Sequence, residues 1–73
     1  MNDYGVVLFF TTSSVMRAEK VLTIQGVPLK LIPVPRQFSS DCGIAVHFHW
    51  EDLARVKSTL LNSFIEIQAI HRL

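Results

Sequence analysis

The sequence predicts an α+β domain with the ferredoxin-like order β-α-β-β-α-β, in which a four-stranded antiparallel sheet carries two helices on one face. Three observations lead to this fold. Four short segments have the apolar pattern of strands, two segments between them have helical spacing, and the prolines fall in the second strand and the loop after it. In this topology the second strand is an edge strand, where a residue without an N–H is tolerated. The 73 residues form one domain, residues 1–73.

The first strand and first helix are predicted between residues 6 and 26. Val6–Phe10 is apolar at every position, which is typical of a strand covered on both faces. Thr11–Ser14 offers hydroxyl groups for an N-cap, and Gly26 stands where a glycine ends many helices. We therefore expect the first helix over Ser14–Gln25.

The remaining elements are two strands, a helix and a final strand. Val27–Val34 contains two prolines and is predicted as an edge strand. The next strand alternates, with Ile44, Val46, Phe48 and Trp50 on one face and Ala45, His47 and His49 on the other. Glu51 and Asp52 place negative charge in the first turn of the second helix. The apolar stripe of this helix is Leu53, Val56, Leu60, Leu61 and Phe64, and Ile65–Arg72 is the last strand.

Composition and charge exclude several classes of function. Seven Lys and Arg against six Asp and Glu give a net charge of +1, spread along the chain, so we expect no nucleic-acid partner. No apolar run has the length of a membrane span, and no basic segment near the start indicates a secretory signal. The single cysteine cannot form an internal disulfide, which favours a reducing, cytoplasmic setting. No cofactor motif is present, so we expect no cofactor.

The first strand also predicts a homodimer. Hydrophobic residues make up 49% of the chain, and two or three residues of Val6–Phe10 should lie on the sheet face without helices. Soluble monomers rarely expose an apolar patch of that kind. We therefore expect two copies to associate through the helix-free face.

The loop between the second and third strands is the leading candidate for a site. Arg36–Gly43 is longer than a tight hairpin needs, and it contains Cys42, the only cysteine. Pro35 stiffens its entry, and Gly43 permits a backbone angle or a close approach that a Cβ would block. Ser39, Ser40 and Asp41 are turn formers, so the loop is expected to be ordered.

Cys42 has two possible roles. It is a nucleophile if its thiolate is stabilised, with Arg36 as the nearest cation in the sequence and Ser39 and Ser40 as hydrogen-bond donors, whereas Asp41 opposes ionisation. Alternatively, Cys42 is a small apolar residue packed under the loop.

His47 and His49 stand two residues apart on one strand face, a spacing that can present two imidazoles to a metal, with His71 as a distant third or Cys42 as a further ligand. A metal site needs three or four protein ligands, however, and Cys42 is not obviously within reach. We therefore expect no metal site, and both histidines to line a partly exposed sheet face.

Three segments resemble a known family: "AEKVL" at Ala18–Leu22, "LIPVPR" at Leu31–Arg36 and "SSDCG" at Ser39–Gly43. They are similar to the bacterial domain family of unknown function that is described as selenium/sulfur (Se/S) carrier protein-like. The resemblance implies that Pro33, Pro35, Arg36, Ser39, Ser40, Asp41, Cys42 and Gly43 form the signature loop of the family, with Cys42 as the chalcogen acceptor. The Cys-Pro pair of the TusA-type sulfur carriers is absent.

The leading hypothesis is a carrier or accessory protein rather than a stand-alone enzyme. Cys42 would hold a persulfide or perselenide for transfer between a donor and an acceptor protein, because thiolate attack on sulfane sulfur needs only an accessible, partly ionised thiol. Arg36 would stabilise the anionic sulfur, and Ser39, Ser40 and Gly43 would shape the site. The alternative is a non-catalytic binding module that recognises a small anion or a protein through the Arg36–Gly43 loop.

Overall fold

The computed structural model describes residues 3–73, in which four strands form one sheet. The elements are β1 (Tyr4–Leu8), α1 (Thr12–Ile24), β2 (Leu29–Pro33), β3 (Ile44–His49), α2 (Leu53–Asn62) and β4 (Ala69–Arg72), with a 3-10 turn at Trp50–Asp52. The strand order is β2-β3-β1-β4, and each neighbouring pair is antiparallel. The ferredoxin-like fold is confirmed, and the proline-bearing strand is at an edge. Met1 and Asn2, the start of the predicted domain, lie outside the described residues.

The register of the strands divides the sheet into two faces. Val7 lies opposite Val46 on one side and Ile70 on the other, whereas its neighbour Val6 lies between His47 and His71. Successive side chains of a strand point to opposite faces. The helices cover one face, where the buried residues of the strands pack with those of α1 and α2; these are Val7, Val46, Phe48, Val15, Ala18, Leu22, Val56 and Leu60.

The start of α1 follows from its polar cap. The side chain of Thr11 accepts a hydrogen bond from the backbone N–H of Ser14 at 3.2 Å, so the helix begins at Thr12, two residues before the predicted start. No helix within residues 3–73 combines the length and the apolar character needed to cross a membrane.

Both helices end in the same hydrogen-bonded turn. In α1, Gly26 has a φ of 75° and the N–H of Val27 donates to Leu22 O at 2.9 Å. In α2, Phe64 takes the position of the glycine with a φ of 56°, and the N–H of Ile65 donates to Leu60 O at 3.1 Å. The terminating glycine predicted for α1 is confirmed, whereas the end of α2 is built without one.

The left-handed turn at Phe64 corrects two predictions. Phe64 and Leu61 were expected in the apolar stripe of α2, but 90% of Phe64 and 75% of Leu61 are exposed. The chain reverses after Asn62, so Phe64 points away from the core. The last strand is also shorter than predicted, because Ile65 still belongs to the helix-ending turn and pairing starts only at Ala69.

The apolar part of the helix-free face is covered by other residues of the same chain. Val6, Leu8 and Ala45 are buried there, beneath Ile32, Val34, Phe38 and Ala69. The ring of Phe38, in the loop after β2, stacks on the ring of His71 with a centroid distance of 4.1 Å. The expectation that this face exposes an apolar patch is therefore wrong, because the long loop folds across it.

Candidate functional site

Cys42 lies just before β3 and close to the amino end of α1. Only 4% of its surface is exposed, and it packs in the hydrophobic core on the helix side of the sheet. Its Sγ is 3.7 Å from Oγ1 of Thr12, the first residue of α1. The expectation of an accessible thiol is therefore wrong for this conformation, because Cys42 has apolar surroundings with one hydroxyl partner.

Ser40 joins the loop to the end of the first strand. Its Oγ donates a hydrogen bond to Phe9 O at 2.8 Å and accepts one from the backbone N–H of Cys42 at 3.2 Å. One side chain thus fixes the backbone on either side of Asp41. The position of Cys42 depends directly on this hydroxyl.

A second set of contacts holds the loop at its base. The backbone N–H of Asp41 donates to Gln68 Oε1 at 3.3 Å, and Gln68 N donates to Leu8 O at 2.7 Å. Val34 N donates to Gly43 O at 3.1 Å, which continues the pairing of β2 and β3 by one residue pair. The loop has a defined conformation, as the turn-forming residues predict.

Four residues of the predicted site lie on the outside of the loop. Arg36, Ser39, Asp41 and Gly43 are exposed, and within residues 3–73 the side chains of the first three form no hydrogen bond or ion pair. A Cβ at Gly43 would meet no atom within 4 Å, and Gly26 is the only described glycine with positive φ. The described conformation therefore uses neither a left-handed backbone angle nor a close contact at Gly43, and its role in the approach of a donor stays a prediction.

The two histidines lie on the other face of the sheet. His47 and His49 share the helix-free face with Tyr4, whereas Cys42 packs on the helix side. The sheet separates them from the thiol, and residues 3–73 contain no group of three or more His, Cys, Asp or Glu side chains that could hold a metal. Burial lowers the pKa of His47, and the charges of Lys30 and His49 lower it further.

A protein-family model matches the chain over all of its strands and helices. The family model described as "Putative Se/S carrier protein-like" matches residues 4–72, from the start of β1 to the end of β4. The chain belongs to this Se/S carrier-like family. No curated protein and no solved structure matches it.

Sequence reasoning missed two residues of the site, Thr12 and Gln68. Thr12 was considered only as a helix cap, and Gln68 was placed inside the last strand. The topology offers a signal for Thr12, because Leu8 at the end of β1 pairs with Ala45 near the start of β3. The residues that follow β1 and those that precede β3 must therefore lie side by side, beyond the ends of the two central strands.

Proposed function

We propose that this chain is a sulfur or selenium carrier that holds the chalcogen on Cys42 as a persulfide or perselenide. The family supports the carrier class. The observation that carries the assignment to Cys42 is its setting: a lone thiol in apolar surroundings, with the Thr12 hydroxyl 3.7 Å from Sγ. Apolar surroundings exclude competing thiols and water from a reactive persulfide, and the hydroxyl shares one hydrogen bond with the sulfur.

The loading step is an exchange between thiolate and persulfide. The Cys42 thiolate attacks the outer sulfur of a cysteine persulfide on a donor protein. A bond forms between Cys42 Sγ and that sulfur, the bond between the sulfur and the donor cysteine breaks, and the donor leaves as a thiolate. The thiol proton of Cys42 passes to solvent. The step needs no external oxidant or reductant, and delivery repeats it with an acceptor thiolate. A perselenide is transferred in the same way.

Loading requires the loop to open, because Cys42 is buried at rest. Few side-chain bonds hold this part of the loop: Ser40 to Phe9 O and to Cys42 N, and Gln68 to Asp41 N. Loops with few buried contacts open at low free-energy cost. In this proposal the open loop places Arg36 and Ser39 beside the entering anionic sulfur, and Asp41 and Gly43 flank its path.

Persulfide loading is tested by mass spectrometry of the intact protein. The chain is incubated with a cysteine desulfurase and cysteine, and we expect wild type to gain the mass of one sulfur atom. Cys42→Ala should gain none, and Thr12→Val should lose the added sulfur faster in the presence of a small thiol. Absence of added sulfur on wild type while the desulfurase is itself loaded, or equal addition to Cys42→Ala, would refute the proposal.

A non-catalytic binding module is the second candidate, and one observation favours it. Cys42 belongs to the same buried cluster as the core residues Val46 and Phe48, as a purely structural cysteine would. Arg36, exposed on the loop, would then recognise a small anion or an acidic protein. This candidate predicts that Cys42→Ser keeps the biological function and that Arg36→Ala loses it, whereas the carrier proposal predicts that Cys42→Ser loses it.

The partners in the carrier proposal are a sulfur or selenium donor protein and an acceptor protein, in a reducing cytoplasm. The homodimer through the helix-free face was expected from an exposed apolar patch, and that patch is absent because Phe38 and its neighbours cover Val6 and Leu8. Sedimentation velocity tests it directly: a single species at the mass of one chain, even at high concentration, would remove the homodimer.

A further inference from the structure

A second candidate site lies at the opposite end of the β2-β3 pair from Cys42. The start of β2 and the end of β3 border a cleft of about 240 Å³, whose lining includes Tyr4, Lys30, His47 and His49. The Arg36–Gly43 loop joins the other ends of the same two strands. The cleft therefore belongs to neither the thiol site nor the carrier proposal.

The side chains of the cleft come from three adjacent strands. Lys30 on β2 lies directly opposite His47 on β3, and Tyr4 on β1 lies opposite His49. The ring of Tyr4 is 4.5 Å from that of His47 and 5.1 Å from that of His49, measured between centroids. Sheet pairing thus fixes the positions of all four residues.

The charge of the cleft is unbalanced. Its lining contains Lys30, His47, His49 and Tyr4 and no carboxylate, and the next titratable group on this face is His71 on β4, across Val6 from His47. Within residues 3–73 these four polar side chains form no hydrogen bond or ion pair. The pKa of His47 is lowered by burial and by the charges of Lys30 and His49, so the empty cleft disfavours the protonated imidazole. A bound anion would instead favour the protonated imidazole.

The donor set selects the class of anion. An ammonium, two imidazoles and a phenol line one cleft from three strands. Donors on different sides of a cleft suit an anion whose oxygen atoms point in several directions better than they suit a flat carboxylate. A metal is disfavoured, because Lys30 adds positive charge and no set of three metal-binding side chains occurs among residues 3–73.

We propose that this cleft binds a phosphate group, with Lys30, His47 and His49 as the charged hydrogen-bond donors and the Tyr4 hydroxyl as a neutral one. The phosphate comes either free or on a nucleoside monophosphate, whose base could stack on the exposed parts of the Tyr4 and imidazole rings.

The first test is a titration followed by NMR of the backbone amides and the histidine rings. Inorganic phosphate should give saturable shifts centred on Tyr4, Lys30, His47 and His49, beyond those caused by sodium chloride at the same ionic strength. Lys30→Ala should bind about tenfold more weakly, because it removes one charge-assisted hydrogen bond. Lys57→Ala removes an exposed lysine on α2 and is the matched control, with unchanged affinity. Absence of saturation, or equal affinity of wild type and Lys30→Ala, would overturn the proposal.

A second titration separates the two sources of phosphate. Adenosine monophosphate that binds more tightly than inorganic phosphate, and whose base shifts the Tyr4 ring signals, assigns the site to a nucleotide. Equal affinity assigns it to the phosphate alone. A single-stranded oligonucleotide that binds far more tightly than either would overturn the small-ligand assignment.

The role of His47 is tested with sulfate, which stays a dianion across the range in which histidine titrates. Sulfate binding to wild type should strengthen as the pH falls from about 8 to about 6, because bound dianion favours the protonated imidazole. His47→Gln should lose the part of this pH dependence that His47 contributes, and the double variant His47→Gln/His49→Gln should lose most of it. Affinity that is independent of pH in wild type would overturn the part assigned to the histidines. Cys42→Ala should bind phosphate like wild type, so failure of the carrier proposal and failure of this one give different results.

Discussion

We expect the Ser40 hydroxyl to control access to Cys42, and Ser40→Ala tests this directly. The substitution removes the bond to Phe9 O at 2.8 Å and leaves the partly buried Cys42 N–H, 3.2 Å from Ser40 Oγ, without its acceptor. Each bond contributes about 0.5 to 1.5 kcal/mol in proteins, so the loss of two bonds should destabilise the closed loop by about 1 to 3 kcal/mol relative to the open one. Since 1.4 kcal/mol is a factor of ten, the open population should rise about 5- to 150-fold.

The assay is alkylation of the native protein by iodoacetamide, with urea unfolding as a parallel measurement. When opening is fast compared with alkylation, the rate follows the open population, and Ser40→Ala should react about 5 to 150 times faster than wild type. Ser39→Ala is the matched control: the neighbouring hydroxyl is exposed and forms no bond within the described part of the chain, so its rate should not change. An unchanged rate in Ser40→Ala, together with a measured loss of stability, would refute the view that loop opening exposes the thiol.

Four further substitutions test the packing and the electrostatics of the fold. In Gly5→Ala the new Cβ would lie 2.6 Å from Trp50 Cε3, so urea unfolding should show a free energy of unfolding that is lower by about 1 to 3 kcal/mol. Gly43→Ala is the control and should be nearly neutral, because its Cβ would meet no atom within 4 Å. Phe64→Gly should raise the stability by about 0.5 to 1 kcal/mol, because the residue has a φ of 56° and its ring is exposed; a loss would show that the ring contributes packing. Because the pKa of His47 is lowered on folding, wild type should lose stability as the pH falls below 6.5, and the loss should be complete below the folded-state pKa. His47→Gln should lack this component, and identical pH profiles would contradict the lowered pKa.

The strand and helix pattern was predictable because it depends on local spacing. Val6–Phe10 and Ile44–Trp50 predict the two central strands within a few residues of β1 and β3, and the prolines correctly place β2 at an edge. The terminating Gly26 was also predictable, since a left-handed residue at a helix end is most often glycine. These signals lie within a few residues of the structure that they determine.

The failures come from long-range packing. Phe64 fits the helical spacing of α2, yet it adopts the left-handed conformation that ends the helix, which residue type alone argues against. The burial of Val6 and Leu8 depends on Phe38, more than 25 positions further along the chain. Gly5 has no visible role in the sequence, whereas in the fold it makes room for Trp50. Each case requires the positions of two distant segments, and the sequence pattern does not contain them.

The candidate site was predictable in its residues but not in its geometry. The loop, the single cysteine and the turn-forming Ser40 could be identified directly, but the burial of Cys42 and its contact with Thr12 could not. The sequence left open whether Cys42 is reactive or packed. The structure shows Cys42 packed, and the carrier proposal adds a second, open state of the loop in which the thiol reacts.

A buried thiol suits a carrier if the partner protein contributes the free energy of opening. A small alkylating reagent gains nothing from the open loop, so its rate depends on the open population of the free protein. A donor protein that contacts the open loop shifts the equilibrium by its differential affinity for that state. Ser40→Ala should therefore accelerate alkylation of Cys42 more than it accelerates sulfur transfer from a saturating donor. If both reactions responded equally, opening would be intrinsic to the loop in both cases, and the donor would only capture a thiol that is already exposed.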